Sequence, residues 1–258
     1  MTMHWLEMTG PEVRELAKST DVALLPVGCV EMHGPHLPTG TDGLVAERLA
    51  ELVAEREMAI ILPTLYYNIN DSMSCYPGTL AFPPDVVKGI IATLCREAAR
   101  NGFRKIAVLV WHGDSDLIPK YWQLELLAEQ NAQQQFPFQV FTIVPYGTME
   151  STAVKWQSTR KDQGHGCEPE TSYVMAVRPD LVHLDRLEDL PEGRGPFIQP
   201  HVPHATYQIP WIRRVPKGYI GYPHYATAEK GRQGLEEIAD WCAEIIRKIK
   251  SYDMDQDP

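Results

Sequence analysis

The sequence VALLPVGCVEMHGPHLPTGTD, residues 22–42, sets the architecture and carries most of the predicted chemistry. Its first part, 22–27, is apolar and is typical of a buried strand in a parallel sheet. The turn-rich part that follows, 31–42, contains two carboxylates and two imidazoles among prolines and glycines. Loops at the carboxyl ends of parallel strands are where open α/β sheets place ligands. Because Glu31 and His33 are two residues apart, both side chains leave the same face of an extended segment, as a divalent metal site requires.

Further apolar runs alternate with helical patterns along the rest of the chain. The runs that predict strands lie at 58–62, 105–110 and 138–144. The predicted helices cover about 43–55, 85–101, 115–135 and 226–250. This alternation predicts an α/β fold in which helices cover both faces of a mainly parallel sheet. We predict an ordered loop over the sheet edge for the proline-rich segment 179–225, and a single domain for the whole chain, 1–258.

Composition excludes several classes of function. A formal net charge of −10 argues against a nucleic-acid partner, whose phosphates would be repelled. No apolar segment is long enough to suggest a membrane span. The first residues do not show the basic-then-apolar pattern of a secretory signal. The cysteines are scattered and form no CxxC pair, which favours reduced thiols in a cytoplasmic protein. They are Cys29, Cys75, Cys95, Cys167 and Cys242.

Polar residues follow the predicted strands at the positions where a metal site would form. The candidate ligands and catalytic groups are Glu31, His33, Asp42, His112, Asp114, His165, Glu168 and Glu170. Nitrogen and oxygen ligands without thiolate suit zinc, manganese or iron(II). A carboxylate could bridge two ions, and two ions about 3.5–4 Å apart would hold a water as hydroxide near neutral pH.

Each candidate also has a simpler structural explanation, which spacing alone leaves open. Asp42 directly precedes a predicted helix and could serve as its N-cap. His36 lies between two prolines and could orient the loop by hydrogen bonding, as a support to the ligands rather than as one of them. Several acids fit the positive end of a helix dipole: Asp114, Asp116, Glu168 and Glu170. Surface or structural roles are expected for His183, His201, His204 and His224.

Taken together, these residues resemble the signature of the creatininase (creatinine amidohydrolase) family. The resemblance begins with VGCVEMHGPHLP at 27–38 and with the pair Thr41-Asp42. It continues in the family's order through YPGT at 76–79, His112-Gly113, HGCEPETS at 165–172, and GYIGYP with ATAEKG at 218–231. The resemblance implies a three-layer α/β/α fold, two divalent metal ions (zinc, manganese or iron) and hydrolysis of a non-peptide C–N bond.

The resemblance also implies a role for each matching residue. Glu31 and His112 would bind one ion, and His33 would bind the other. Asp42 would bridge the two ions. His165 would relay protons between the metal-bound water and the leaving nitrogen.

The last ligand has two candidates under this resemblance. In creatininase itself the residue two places after the histidine of the third strand is an acidic ligand, and here that residue is Asp114. In many relatives that place is glycine, and the glutamate before Thr-Ser takes the role, which here is Glu170. The chain has both acids, and we favour Glu170 because its side chain reaches further.

Three departures from the family's pattern concern the surroundings of the site. Trp111 stands where relatives often have Asn, Met73 where a histidine is common, and Tyr222 where Asp is usual. The resemblance therefore implies intact catalytic machinery with altered specificity. Trp111, Tyr146 and Trp156 could offer a flat aromatic wall to a planar substrate, although buried aromatic residues are often plain core.

Our leading hypothesis is therefore a binuclear metal amidohydrolase that acts on a small cyclic amide, an amidine or a formamide. One alternative is peptidase-like processing of a peptide-derived substrate. Another is a metal-stabilised binding protein without catalysis, which would be expected to lack a ligand or His165; the sequence lacks neither. The family resemblance implies a homo-oligomer, a dimer or hexamer, and we take the segment 190–225 as its contact surface.

Overall fold

Parallel strands separated by helices organise the computed structural model of the chain, which describes residues 3–113, 117–145, 164–187 and 211–255. The strands are β1 (Val22–Val27), β2 (Ile60–Ile61), β3 (Lys105–Val110) and β4 (Gln139–Ile143). The helices are α1 (Gly10–Ser19), α2 (Thr41–Arg56), α3 (Pro84–Arg100), α4 (Leu117–Gln133), α5 (Glu168–Val177), α6 (Trp211–Arg214) and α7 (Ala228–Ser251). Short 3₁₀ helices lie at Trp5–Glu7, Asp71–Met73, Pro179–Leu181, Leu184–Arg186 and Pro223–Tyr225.

The four strands form one sheet in the order β2-β1-β3-β4, and every neighbouring pair is parallel. This confirms the predicted α/β fold with a parallel sheet. Strand β2 is shorter than the predicted run 58–62. The chain beyond it still adds to the sheet, because the N–H groups of Leu62 and Leu65 donate to the carbonyl groups of Leu24 and Pro26 in β1.

Two apolar cores lie on opposite faces of the sheet. Leu24 and Leu109 face helices α2, α5 and α7, whereas the neighbouring Leu25 and Val108 face α1, α3 and α4. Successive residues of a strand point to opposite faces, so a strand that is apolar throughout must be covered on both sides. The molecule therefore has the three layers, α/β/α, that the sequence implied.

The order of the strands places a crevice beside β1. From β1 the chain passes to β2 on one side, and later returns to β3 on the other. Such a reversal of direction separates the loops at the carboxyl ends of the strands and creates the usual binding crevice of open α/β sheets. The loop after β1 and the residues after β3 meet at this point.

Two stretches differ from the prediction. Helix α2 begins at Thr41 with Gly40 as its N-cap, two residues before the predicted start, so Asp42 lies inside the first turn. The segment 179–225 contains 3₁₀ helices and the short α6 in its described parts, and its helices at Pro179–Leu181 and Pro223–Tyr225 pack against α5. Among the described residues, no helix combines the length and apolar character that crossing a membrane requires.

Candidate metal centre

The loop after β1 is held against the start of α2. A Cβ atom on Gly28 would lie 2.4 Å from the backbone nitrogen of Gly43 and 2.6 Å from the backbone carbonyl carbon of Asp42, so only glycine permits this approach. Two amide side chains fix the loop from the other side. Asn68 Nδ2 donates to the Gly28 carbonyl group (2.8 Å), and Asn70 Nδ2 donates to the Val30 carbonyl group (3.1 Å). The approach brings the side chain of Asp42 to the carboxyl end of β1.

The YPGT stretch supports the same loop. Thr79 Oγ1 accepts a hydrogen bond from the N–H group of Met32 (3.1 Å), and the N–H group of Leu80 donates to the Val30 carbonyl group (2.9 Å). Gly78 has a φ of +82°, a conformation that favours glycine. The second sequence motif therefore holds the first one in place.

Asp42 presents its two carboxylate oxygens to different histidines. Oδ1 lies 3.3 Å from His33 Nε2, and Oδ2 lies 3.0 Å from His112 Nδ1. Cys29 Sγ donates to the same Oδ2 at 2.9 Å. The N-cap interpretation of Asp42 is wrong, because Gly40 holds that position and the Asp42 carboxylate turns into the loop. A carboxylate in this arrangement can bridge two cations.

Glu31 lies at the centre of the histidines. Its Oε1 atom is 3.4 Å from His112 Nδ1, 3.6 Å from His33 Nε2 and 3.8 Å from His165 Nδ1. Its other oxygen, Oε2, is buried and has no hydrogen-bond partner among the described residues. A buried carboxylate oxygen without a partner is costly unless a cation or a donor satisfies it.

Backbone carbonyl groups hold one ring nitrogen of each central histidine. The contacts are His33 Nδ1 with the Glu31 carbonyl (3.2 Å), His112 Nε2 with the Ile69 carbonyl (3.2 Å) and His165 Nε2 with the Met32 carbonyl (2.6 Å). A carbonyl oxygen only accepts, so each of these nitrogens carries the proton. The other nitrogen of each ring faces the carboxylates, so it can donate to them when the ring is protonated or offer its lone pair to a cation, as metal-ligating histidines do.

The charges in this group depend on each other. Burial opposes a positive charge on His33, but the neighbouring carboxylates, chiefly Asp42, outweigh it and raise the pKa of His33 to about 10. Burial also opposes a positive charge on His112. Asp42 and Glu31 outweigh it and raise the pKa of His112 well above its usual value. Burial would raise the pKa of Asp42, but His33 and His112 lower it. The two buried carboxylates therefore require positive charge beside them, which protonated imidazoles or bound cations can supply.

His165 stacks on His33, with the ring centroids 4.1 Å apart and the planes tilted by 27°. Burial and then the positive charge of His33 lower the pKa of His165 to about 4. The rings of Trp211 and His165 pack at a steep angle of 74°, with 5.9 Å between centroids. His165 is thus a neutral imidazole with its Nδ1 atom turned to the cluster and an aromatic ring beside it.

Glu170 lies at the margin of the group. Its Oε2 atom accepts a hydrogen bond from the N–H group of Gly166 (2.5 Å) and lies 3.9 Å from His33 Nε2. Burial raises the pKa of Glu170 to about 7, and the nearby carboxylates, Asp42 first, act in the same direction. Glu170 therefore lies close enough to His33 Nε2 to be a candidate ligand of a cation held there.

The side chains present fit divalent cations. The possible ligand atoms form two sets, and within each set all atoms lie within 4.8 Å of one another. The first set comes from Cys29, Glu31, Asp42 and His112, and the second from Glu31, His33 and His165. His33 Nε2, like Glu31 Oε2, is buried without a hydrogen bond in the described part of the chain. Carboxylate oxygens and imidazole nitrogens are the donors that zinc, manganese and iron accept.

Of the predicted site residues, the structure brings five together: Glu31, His33, Asp42, His112 and His165. His36 lies outside both sets; it is fully buried, and its Nε2 atom is 3.0 Å from Thr171 Oγ1. Glu168 is buried in the first turn of α5, where it pairs with Lys230.

The predicted aromatic wall is only partly described. Trp111 is 1% exposed and packs edge-on against Tyr173 in the core that α2, α5 and α7 cover. That is the place of a core residue, and its contact with substrate stays a prediction. Asp114, Tyr146 and Trp156 lie outside the described residues.

Sequence reasoning missed two residues of the site, Cys29 and Trp211. We expected a site without thiolate, whereas Cys29 Sγ lies 2.9 Å from Asp42 Oδ2 and 3.2 Å from His112 Nδ1. The alternation of Cys29, Glu31 and His33 along one extended segment was a signal for it. Trp211 follows a stretch without periodicity, and no sequence signal connects it with His165.

The sequence model of the family described as "Creatininase: Creatinine amidohydrolase" matches residues 6–246. The creatinine amidohydrolase of Pseudomonas putida is 29% identical over 254 residues, which cover 94% of this chain and 95% of that protein. The 3-dehydro-scyllo-inosose hydrolase of Thermotoga maritima is 26% identical over 270 residues, with 96% and 83% covered. The mycofactocin precursor peptide peptidase of Mycolicibacterium smegmatis is 24% identical over 241 residues, with 91% and 88% covered.

Solved creatininase structures share the fold over 98% of the chain. A manganese form superposes with a TM-score of 0.84 at 25% identity, covering 98% of this chain and 100% of that one. A mutant described as the Zn-Zn type superposes with a TM-score of 0.83 at 26% identity and the same coverage. The three-layer architecture around the cluster is therefore that of these enzymes.

Proposed function

The chain belongs to the creatininase family of hydrolases, and from that premise we propose that this protein is a two-metal amidohydrolase. Its substrate is proposed to be a small cyclic amide, an amidine or a formamide, hydrolysed at a C–N bond. The observation that carries the proposal is the position of Asp42, whose two oxygens face the imidazoles of His33 and His112 separately. A carboxylate placed in this way supports two neighbouring cation sites rather than one.

The two sets of ligand atoms define which residues would hold each ion. Glu31, Asp42 and His112 would hold the first, and His33 would hold the second with the other oxygen of Asp42. Glu170 completes the second site in this proposal because its Oε2 atom is 3.9 Å from His33 Nε2. A bound pair of zinc, manganese or iron ions would supply Lewis acidity and would lower the pKa of a bound water toward neutrality.

His165 is proposed to move the proton that amide hydrolysis requires. The Met32 carbonyl holds its Nε2 atom, so Nδ1, 3.8 Å from Glu31 Oε1, is the atom that can accept a proton and pass it to the leaving nitrogen. Positioned acid–base groups of this kind accelerate reactions by about 10²–10⁴. Trp211 packs against His165 and would help to hold the imidazole in this orientation.

A hydrolysis screen tests this function. Purified protein, loaded separately with zinc, manganese and iron(II), is assayed against lactams, cyclic ureas, guanidines and formamides, with metal content measured by mass spectrometry. We expect about two ions per chain, turnover of at least one class, and loss of turnover on chelation. Tight ligand binding by fully loaded protein without product over hours would instead identify a non-catalytic binding protein.

A peptide-derived substrate is the second candidate. One observation favours it, since a relative that is 24% identical carries the name mycofactocin precursor peptide peptidase. The same screen, extended to a set of short peptides, separates the two. Cleavage of peptides with no activity on small amides would replace the amidohydrolase proposal.

We also propose that the protein assembles with copies of itself through the segment 190–225. In the described part of this segment, Ile212 and Tyr225 are large apolar side chains that are 48% and 49% exposed. Light scattering coupled to size-exclusion chromatography would test this. A wild-type monomer would contradict it, as would an oligomer that the variant Ile212→Lys, Tyr225→Lys leaves intact.

A further inference from the structure

Cys29 is the one side chain of the cluster that the proposed function leaves without a role. It lies two residues after the end of β1, is fully buried, and stands two residues before Glu31. Its Sγ atom contacts Asp42 Oδ2 at 2.9 Å and His112 Nδ1 at 3.2 Å. Both contacted atoms are proposed ligand atoms of the first ion.

The separations in this set are close to those around a single zinc ion. Zinc bonds of about 2.0–2.3 Å in a tetrahedral arrangement place the ligand atoms roughly 3.3–3.6 Å apart. Here His112 Nδ1 lies 3.0 Å from Asp42 Oδ2 and 3.4 Å from Glu31 Oε1, and Sγ lies 2.9 and 3.2 Å from its two neighbours. The two contacts of Sγ are shorter than the tetrahedral values by roughly 0.3–0.6 Å, so the thiol must move outward for an ion to be surrounded.

A second observation points to a cation at this place. The buried oxygen Glu31 Oε2 has no hydrogen-bond partner in the described part of the chain, so the carboxylate next to Cys29 is incompletely satisfied. Cysteine binds metals as the thiolate, and binding would release the thiol proton to solvent.

We infer that Cys29 is a thiolate ligand of the first ion and that it makes this site select zinc over manganese. The inference rests on the proposed two-metal function and adds a fourth protein ligand to Glu31, Asp42 and His112. Thiolates favour zinc, whereas a site of carboxylates and imidazole also accepts harder ions such as manganese. The two sites would therefore differ in selectivity, because the second set contains only oxygen and nitrogen donors.

Cobalt substitution tests the inference directly. Holoenzyme is prepared with Co²⁺ in place of the native ions, and its absorption is compared with that of Cys29→Ser. We expect a sulfur-to-cobalt charge-transfer band in the near ultraviolet for the wild type. The band should disappear in Cys29→Ser while the visible d–d bands of cobalt remain. In competition experiments, Cys29→Ser should lower the preference for Zn²⁺ over Mn²⁺ by about 10–100-fold, the range in which changes around a metal site alter affinity.

Controls separate this inference from the proposed function. Cys95→Ala removes another fully buried thiol, in the middle of α3, and should leave the band unchanged. Cys29→Ala repeats the test if the serine variant does not fold. Cobalt d–d bands without a charge-transfer band in the wild type would overturn the role of Cys29 and leave the two-metal proposal standing. Absence of all cobalt bands and of bound metal would overturn both.

Discussion

Gly231 of helix α7 lies directly against the carbonyl group of Ser172 in helix α5. A Cβ atom on Gly231 would come within 1.8 Å of the Ser172 oxygen, so the two helix backbones touch at this crossing. Helix α5 carries Glu170 in its first turn, two residues from the contact. The crossing therefore helps to set the position of Glu170 relative to the carboxylates and imidazoles of the cluster.

Gly231→Ala should destabilise the protein, because a methyl group at this contact forces α5 and α7 apart. Overpacking of this kind costs about 1–3 kcal/mol and occasionally more, and the backbone contact places Gly231 at the upper end. Urea denaturation measures the change. Gly89→Ala is the matched control: Gly89 also lies in a helix, but no atom comes within 4 Å of its added Cβ. The free energy of unfolding of the control should rise by about 0.4–1 kcal/mol. An equal change in stability for both variants would show that the close contact does not exist.

Asp42→Ala should lose both ions. Each carboxylate oxygen faces a different imidazole, so removal of the side chain takes one ligand from each site. Mass spectrometry of the purified variant gives the metal content per chain. Asp85→Ala, which removes an exposed carboxylate from the first turn of α3, should retain the wild-type content. Full occupancy in Asp42→Ala would rule out the bridging role.

His165→Ala should keep its metal and lose activity by about 10²–10⁴-fold, the usual contribution of a positioned acid–base group. The prediction distinguishes two roles that the geometry allows, because His165 Nδ1 also lies near Glu31 and His33 among the possible ligand atoms. Metal analysis and turnover are measured on the same preparation. Loss of one ion from His165→Ala would make this histidine a ligand instead of a proton relay.

Lys230→Met should destabilise the fold, because it leaves the fully buried carboxylate of Glu168 without its lysine. Removal of one partner of a fully buried ion pair costs about 3–5 kcal/mol, and because the Lys230 side chain is 21% exposed the loss should lie at or below the lower end. The double variant Glu168→Gln, Lys230→Met should recover a large part of that loss, since the buried charge that has lost its lysine is then absent. Thermal and urea unfolding of both variants measure these changes. Lys88→Met is the control, because it breaks a surface pair with Glu125 and should change stability little. Equal stability of the single and double variants would contradict a buried charge pair.

The stability of the protein should fall in mild acid partly because of His36. Burial and the positive charge of His33 lower the pKa of His36 to about 3, below the usual value of about 6.5. The unfolded chain takes up the proton first, so the stability due to neutral His36 is complete above pH 6.5 and is lost as the pH falls toward 3. Between pH 7 and pH 5 the free energy of unfolding of the wild type should therefore drop by about 2 kcal/mol more than that of His36→Asn. If the free energy of unfolding changed with pH in the same way for the wild type and His36→Asn, His36 would not be held neutral in the folded protein.

Strand periodicity and parallel topology were enough to predict the fold and to bring distant residues to one place. Glu31 and His33 follow β1 and His112 follows β3, and neighbouring parallel strands end at the same edge of a sheet. The position of Asp42 could be read only approximately, because the start of α2 depends on the contact between Gly28 and Gly43. The proximity of Cys29 to His112 depends on the register between the two strands, which a single sequence does not specify.

The carbonyl groups that hold the three central imidazoles belong to the main chain, and this has an evolutionary consequence. No substitution of a single side chain removes a main-chain acceptor, so the orientation of each histidine tolerates divergence in the residues that supply the carbonyl groups. Surrounding side chains can then vary with little effect on the capacity to bind metal. Such a scaffold can acquire new substrates through substitutions around its pocket. The names of the relatives agree with this, since they include a creatinine amidohydrolase, an inosose hydrolase and a peptidase.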